Sequence, residues 1–343
     1  MSFPYKWFLT DGYTKKNNLK VFSTFACGGG STMGYKLAGF DVIGANDIDP
    51  KMAKVYKENH NPKHYYLCDI RELNKKIENK EVHDDLYKLD ILDGSPPCST
   101  FSTTGSREKS WNKEKVFREG QAKQRLDDLF FYFIETCRLL KPKVVIAENV
   151  KGLILGNAKG YVIQIKQLLE IAGYDVQIFL LNAATMGVPQ KRERVFIIGK
   201  RKDLKFPKLE LKFDEKPILF KEINEGKISN FKDIELSSRK YYEKCLPGKN
   251  LASVHEKGSL FSRIKLSNNK VSNTLTAHCD QDFQNPTQRR ILTKNELSKI
   301  GAFPLDYNFL NIKPGYLIGM SVPPVMMAQV ANQVHLQWFK KLI

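Results

Sequence analysis

Short apolar runs, each closed by a turn and followed by helical spacing, recur along the first 200 residues. Lys20 to Phe25 reads as a first strand, and Ala26-Cys27-Gly28-Gly29-Gly30-Ser31 as a glycine-rich turn into a helix over Thr32 to Ala38. Asp41 to Ala45 is a second strand ending at Asn46-Asp47-Ile48-Asp49, with Pro50 placed to open the next helix at its first turn. Tyr65 to Leu67 reads as a third strand, ending at Cys68-Asp69-Ile70. Leu89-Asp90-Ile91-Leu92 is a largely apolar run that reads as a buried parallel strand, and it leads into Gly94-Ser95-Pro96-Pro97-Cys98-Ser99. Residues 103–124 are polar, basic and aperiodic, the texture of a lid or binding loop. Leu126 to Leu140 has helical periodicity, Lys143 to Ala147 is a strand closed by Glu148-Asn149-Val150, and Ile163 to Ala172 is a helix. Val176 to Asn182 and Val195 to Gly199 are later strands. The alternation predicts a doubly wound α/β sheet.

Beyond residue 200 the texture changes to lysine-rich, weakly alternating segments that read as a second, smaller module to about Thr276. A short helix is expected over Thr293 to Gly301, with Thr293 as N-cap and Glu296 completing a capping box. Val325 to Leu342 is apolar at helical spacing and should pack back on the first domain. The expected division is therefore 1–200, 201–300 and a returning segment, 301–343.

Charge sharpens this picture. The 343 residues carry 55 Lys and Arg against 37 Asp and Glu, a formal net charge of +18, which implies a polyanionic partner, most simply nucleic acid. The six cysteines show no C-x-x-C pair, so neither a zinc site nor a disulfide framework is expected. No signal-peptide core or membrane-length apolar run is evident, and an intracellular protein of a reducing compartment is expected.

Three groups of residues carry candidate chemistry. A glycine-rich turn after strand one (Gly28, Gly29, Gly30) with an acid after strand two (Asp47) suits a nucleoside, since glycine lets backbone approach and the acid accepts from ribose hydroxyls. NAD, FAD and S-adenosylmethionine all fit that spacing. Asp69 could take an adenine amine or simply cap the next helix. Two prolines stiffen the turn before Cys98, aiming a thiol from the carboxyl edge of the sheet as a candidate nucleophile. Glu148 leaves the same edge against apolar walls, a setting that favours a carboxyl able to carry and donate a proton. Gln190-Lys191-Arg192-Glu193-Arg194 precedes a strand; if that strand begins early, alternation puts Arg192 and Arg194 on one face, suited to an anionic or carbonyl-bearing ligand.

These residues resemble the DNA (cytosine-5) methyltransferases of prokaryotic or phage type, in order over almost the whole chain outside 200–270. Phe25-Ala26-Cys27-Gly28-Gly29-Gly30 resembles the family's first motif, Asn46-Asp47-Ile48-Asp49 the second and Asp69-Ile70 the third. Pro96-Pro97-Cys98 is similar to its nucleophile motif, Glu148-Asn149-Val150 to its Glu-Asn-Val motif, and Gln190-x-Arg192-x-Arg194 to its paired-arginine motif. Arg290-x-Leu292-Thr293 through Gly301-Ala302-Phe303-Pro304, and Ile318-Gly319-Met320-Ser321-Val322-Pro323-Pro324, resemble the last two.

The resemblance implies a Rossmann-like S-adenosylmethionine methyltransferase domain with a smaller target-recognition domain, methylating C5 of a flipped-out cytosine in double-stranded DNA. Cys98 would add to C6, Glu148 would hold N3 and the exocyclic amine, Arg194 would bind O2 and Arg192 would support the site. Phe25, Ala26, Gly28, Gly29, Gly30, Asp47, Ile48, Asp69, Ile70, Pro97, Leu129, Ser321 and Val322 would bind the cofactor, with no metal. The loop after Cys98 would close over DNA, making Ser99, Thr104 and Arg107 contacts, while Arg263, Lys265 and His278 are candidates for base reading. A cytoplasmic, nucleoid-associated monomer is implied, in a restriction-modification or orphan role, with a cognate restriction endonuclease as a further partner. Cys27 stands where the first motif usually has Gly, and Met320 where the tenth usually has Asn. Other readings of the residues are a tRNA cytosine-5 methyltransferase, a nicotinamide-dependent oxidoreductase and a catalytically dead DNA-binding regulator. The first lacks its branch's Cys-Phe-Thr signature here, the second leaves Cys98 and the arginines without a task, and the third sits poorly with an intact Cys98, Glu148 and Arg194.

Overall fold

The apolar runs of the first 200 residues become one seven-stranded sheet in the computed structural model, which describes residues 3–14, 17–97, 129–156, 158–277 and 279–341. Two units make up the chain. The sheet unit comprises Tyr13–Leu181, Glu193–Lys212 and Ala328–Ile343; the second unit comprises Met1–Gly12, Asn182–Arg192 and Phe213–Met327. The expected 1–200 block is thus interrupted, because two of its pieces bond elsewhere. Trp7 Nε1 donates to the Ala302 carbonyl at 3.0 Å, the Leu9 amide to Asp306 at 2.7 Å, and Gln190 Nε2 to the Ile300 carbonyl at 3.2 Å. Residues 301–327 likewise stay with the second unit, and the return to the sheet unit begins only at Ala328.

In the sheet unit the order of elements is β1 (Lys20–Thr24), α1 (Gly30–Leu37), β2 (Asp41–Asp47), α2 (Pro50–His60), β3 (His64–Leu67), α3 (Ile70–Glu78), β4 (Ile91–Gly94), α4 (Leu129–Leu140), β5 (Val144–Val150), α5 (Ala158–Ile171), β6 (Tyr174–Asn182) and β7 (Glu193–Arg201). Helix starts follow local chemistry. Asp49 caps α2 by accepting from the Lys51 and Met52 amides with Pro50 at the first position, and Asp69 caps α3 by accepting from Arg71. The apolar faces of α3, α4 and α5 pack with β1, β4 and β5 in one core that includes Phe22, Leu73, Leu92, Phe133, Val145 and Ile165. β4 is buried throughout and β5 up to its last residue, which is why their leading residues, Ile91-Leu92 and Val144 to Ala147, are apolar.

The strand order is β3-β2-β1-β4-β5-β7-β6. Registered neighbours form a single row across it: Asn46, Thr24, Gly94, Ala147 and Ile197 stand side by side on β2, β1, β4, β5 and β7. The glycine-rich turn after β1 and the proline turn after β4 therefore leave adjacent strands, at the point where the chain order reverses. β7 runs antiparallel to β5, with Val150 opposite Arg194. Its amino end thus lies at the carboxyl edge of the parallel strands, a direction that hydrophobic pattern alone does not encode.

The second unit contains α6 (Leu236–Tyr242), β8 (Lys249–Asn250), β9 (Ile264–Lys265), α7 (Cys279–Asp282), β10 (Phe283–Gln284), α8 (Lys294–Gly301) and α9 (Pro314–Met320), with a three-stranded sheet in the order β10-β9-β8. Thr293 and Glu296 form the expected capping box on α8. Glu296 does more than cap. Its carboxylate takes two bonds from the Arg290 guanidinium, at 2.7 and 2.8 Å, and both side chains are fully buried. The last helix, α10 (Pro324–Gln337), carries the chain back into the sheet unit from Ala328 onward.

Candidate active site

At the carboxyl edge of the sheet unit, the ends of β1, β2, β3, β4 and β5 and the amino end of β7 carry the candidate residues. After β1 the backbone turns sharply: Phe25, Cys27 and Gly29 all take positive φ, at 54°, 47° and 81°. Only Gly29 does so without steric cost, since a side chain in the left-handed region costs about 1–2 kcal/mol. The Cys27 amide donates to Asp47 Oδ2 at 2.7 Å, and the Asp49 amide donates to Asp47 Oδ1 at 2.9 Å. Burial raises the Asp47 carboxyl above its ordinary value, opposed by those amide bonds. Asp47 therefore braces the glycine-rich turn while presenting a carboxylate beside it. Turn and acid together offer what a nucleoside needs: closely approachable backbone and an acceptor at the end of β2.

Ile48 follows Asp47 directly, and Ile70 opens α3 as a buried residue. Asp69, the other candidate acid, caps α3 and pairs with Arg71 Nη1 at 3.0 Å. Its capping role is thus realised, with its side chain still partly exposed. Leu129 is buried at the start of α4, packed in the main core.

The proline turn is anchored from β5. Asn149 Nδ2 donates to the Pro96 carbonyl at 3.0 Å, two residues before Cys98. In the sequence Asn149 stands only as part of a motif, its one signal being an amide directly after a candidate acid. Cys98, Ser99, Thr104 and Arg107 lie outside the described residues, as does His278.

Beside that turn, Arg194 Nε lies 3.0 Å from Glu148 Oε1, with both side chains largely buried. The contact is an ion pair that holds carboxylate and guanidinium together largely out of water. Burial lowers the Arg194 guanidinium from its ordinary value, and the Glu148 charge opposes that shift. An oriented carboxyl with a guanidinium next to it can hold a planar heterocycle that offers both donors and acceptors.

Arg192 does not join this pair. β7 begins at Glu193, so strand alternation does not reach Arg192. Its guanidinium is buried in the second unit, donating to the carbonyls of Leu275 at 2.9 Å and of Gly319 and Ser321 at 3.0 Å each. It clamps the end of α9, where Ser321 also donates from Oγ to Leu317 and Val322 is buried. Arg263 and Lys265 are equally committed to structure. Arg263 pairs with Glu235 at 2.8 Å and donates to the Gln281 carbonyl at 3.0 Å. Lys265 is buried over the Tyr242 ring and donates to the Tyr242 carbonyl at 3.0 Å.

One cluster among the described residues, His64, His83 and Asp85, brings three potential ligand atoms within 4.8 Å of one another. Asp85 already faces the ammonium groups of Lys20 and Lys63, and those cations disfavour a further positive ion.

Known proteins share this architecture. A profile of the family described as C-5 cytosine-specific DNA methylase matches residues 19–335. The chain is 28% identical to the Type II methyltransferase M.NgoPII of Neisseria gonorrhoeae, covering 94% of this chain and 96% of that protein. It is 30% identical to the Type II methyltransferase M.FnuDI of Fusobacterium nucleatum, over 92% and 94% of the two chains. Among solved structures, one described as a DNA modification methyltransferase encoded within an Escherichia coli prophage matches with a TM-score of 0.73 at 20% identity, over 93% of this chain and 99% of that one. Spodoptera frugiperda DNMT2 matches with a TM-score of 0.62 at 20% identity, over 92% and 99%. At such identities the structural matches establish the fold. Among the described residues no helix is long and apolar enough to cross a membrane.

Proposed function

The chain belongs to the C-5 cytosine-specific DNA methylase family and is a DNA cytosine-5 methyltransferase; on that premise we propose that it methylates a flipped-out cytosine in a short duplex target through a covalent adduct with Cys98. The observation that carries the reading is the Glu148–Arg194 pair beside the turn that Asn149 anchors. It supplies a carboxyl for N3 and the exocyclic amine, and a guanidinium for O2, where a cytosine would sit.

The chemistry follows from these groups. The Cys98 thiolate adds to C6, and the ring electrons move toward C5. Glu148 holds N3, where a shared proton offsets the charge developing on the ring, and Arg194 holds O2. S-adenosylmethionine supplies the electrophilic methyl group, and Phe25 to Gly30, Asp47, Ile48, Asp69, Ile70, Pro97 and Leu129 would hold it. Ser321 and Val322 are assigned to the cofactor on resemblance alone. After transfer, C5 loses its proton to a base and the Cys98 thiolate leaves C6, restoring the aromatic ring. A stacked duplex bars the thiolate from C6, so the base must be extruded at a cost of a few kcal/mol. The net charge of +18 supports binding to the phosphate backbone. We assign the enzyme, like its Type II relatives, to a restriction-modification or orphan methylation role, acting as a cytoplasmic monomer alongside any endonuclease of the same target.

Bisulfite sequencing of plasmid DNA incubated with the protein and S-adenosylmethionine tests this directly. Protected cytosines in one recurring context support the reading; labelling of tRNA in place of DNA overturns it. Target DNA carrying 5-fluorocytosine tests the adduct, because fluorine cannot leave C5 as a cation and the Cys98 bond then persists. A denaturation-resistant complex that Cys98→Ser fails to form is expected; its absence from the wild type sinks the covalent route.

A further inference from the structure

The floor under the glycine-rich turn is a histidine that no motif singles out. His60 ends α2, is buried, and its Nε2 lies 3.0 Å from the Gly28 carbonyl. A carbonyl only accepts, so this ring nitrogen carries the hydrogen and the tautomer is fixed. Directly above, Gly29 has φ 81°, and a Cβ built there would stand 2.1 Å from His60 Nε2. The ring fills the space that any side chain at position 29 would need.

α2 also reaches α1. Lys36 Nζ donates to the His60 carbonyl at 3.0 Å, and the Tyr56 and Thr32 hydroxyls lie 2.7 Å apart. The Tyr56 ring meets the His60 ring edge-on, with centroids 4.7 Å apart. Burial, with the Lys36 charge adding to it, depresses His60 to about 3, against the Gly28 bond. The imidazole is therefore a neutral donor throughout the range where enzymes are assayed.

We infer that His60 is a positioning residue for the cofactor: its Nε2–H and its ring surface hold Gly28-Gly29 in the left-handed turn that receives S-adenosylmethionine. This rests on the cofactor reading of that turn and adds a residue from the far end of α2. The physical logic is preorganisation. A turn of three glycines has many conformations open to it, and ordering it at the moment of binding would weaken affinity.

Calorimetric titration of S-adenosylmethionine into the full-length protein, beside steady-state kinetics, tests the role. Removing the donor takes a hydrogen bond from a buried carbonyl and empties the space beneath Gly29, so His60→Ala should weaken cofactor binding and raise its KM about 10-fold or more. The kcat at saturating cofactor and the KM for DNA should stay within about 2-fold. His60→Gln, whose amide nitrogen reaches as far as Nε2, should restore affinity to within about 3-fold of wild type. If His60→Ala fails to fold, His60→Gln against His60→Met, which fills the space without a donor, carries the same comparison. Wild-type affinity in His60→Ala, or equal weakness in His60→Gln and the donor-free variant, overturns the inference. A folded wild type that binds no S-adenosylmethionine would instead overturn the cofactor reading beneath it.

Discussion

Glu148 and Arg194 meet on a diagonal: Val150 of β5 stands opposite Arg194 of β7, and Glu148, two residues back on the same face, lies 3.0 Å from the guanidinium. Both side chains are largely buried, so each charge depends on the other. Arg194→Ala leaves the carboxylate uncompensated and should destabilise the protein by about 3 kcal/mol, with methyl transfer abolished. The double replacement Glu148→Gln with Arg194→Met should recover most of that stability and none of the activity. Urea denaturation together with a tritiated methyl-transfer assay separates the two effects. A double variant as unstable as Arg194→Ala would contradict the pairing.

The bond from Asn149 to the Pro96 carbonyl holds the chain two residues before Cys98, the proposed nucleophile. Asn149→Ala removes it, and a nucleophile misplaced by about 1 Å loses roughly 100-fold in rate. Single-turnover methylation should slow by about 10- to 100-fold while cofactor affinity holds. An unchanged rate would show that the prolines suffice.

Asp93 is buried between strands and helix, accepting from Ser23 Oγ at 2.7 Å and from Tyr35 at 3.2 Å. Burial pushes its carboxyl from 3.8 up to about 7, helped by the Glu148 charge and opposed by those hydrogen bonds. Between these values the native protein keeps a proton that the unfolded chain has released. Its contribution therefore lowers stability as pH rises from about 4 to about 7, and is constant above that. Asp93→Asn should erase this slope, so its stability relative to wild type climbs across that window. Parallel denaturation curves at every pH would rule the effect out.

Arg290 and Glu296 form a fully buried bidentate pair, and the same carboxylate accepts from the Glu225 and Thr293 amides. Arg290→Leu strands a buried carboxylate and should cost about 3–5 kcal/mol. Guanidinium-chloride unfolding of the variant measures it. A loss below about 1 kcal/mol would mean that the amide bonds alone satisfy Glu296.

Cys27 holds φ 47° where glycine would be at ease. Cys27→Gly relieves about 1–2 kcal/mol of backbone strain and costs about 0.5–1 kcal/mol of unfolded-state entropy. A net stabilisation of about 0.5–1 kcal/mol should appear in thermal melts. A lower melting temperature would show that the side chain contributes more by packing near Met52, whose sulfur lies 3.7 Å from Cys27 Sγ.

Much of the sheet unit was legible along the chain. Apolar runs marked β1, β2, β4 and β5 because strands covered on both faces admit few polar residues, and Pro50 and Thr293 announced helix starts through local bonds that need no distant partner. Boundaries were less legible. β5 continues through Glu148 and Asn149 to Val150, and α5 starts at Ala158, earlier than its apolar spacing implies. For β5, pairing with β7 carries the strand past the residues whose character favours it.

The candidate site divides in the same way. Residue type and order by themselves singled out Cys98, Glu148 and Arg194 as candidates for one chemistry, through the resemblance of their surrounding segments to the family's motifs. Only the tertiary structure decided which groups meet. Arg194 reaches Glu148 because β7 runs antiparallel and brings its amino end to the carboxyl edge of β5. Arg192, one residue before that strand, is turned into the second unit to bind three carbonyls, and Arg263 and Lys265 are spent on Glu235 and Tyr242. His60, 32 residues from Gly28, had no local signal at all. The physical reason is range. Propensity, capping and hydrophobic period act between near neighbours, whereas ion pairs and buried hydrogen bonds form between whatever side chains the packed sheet brings within reach.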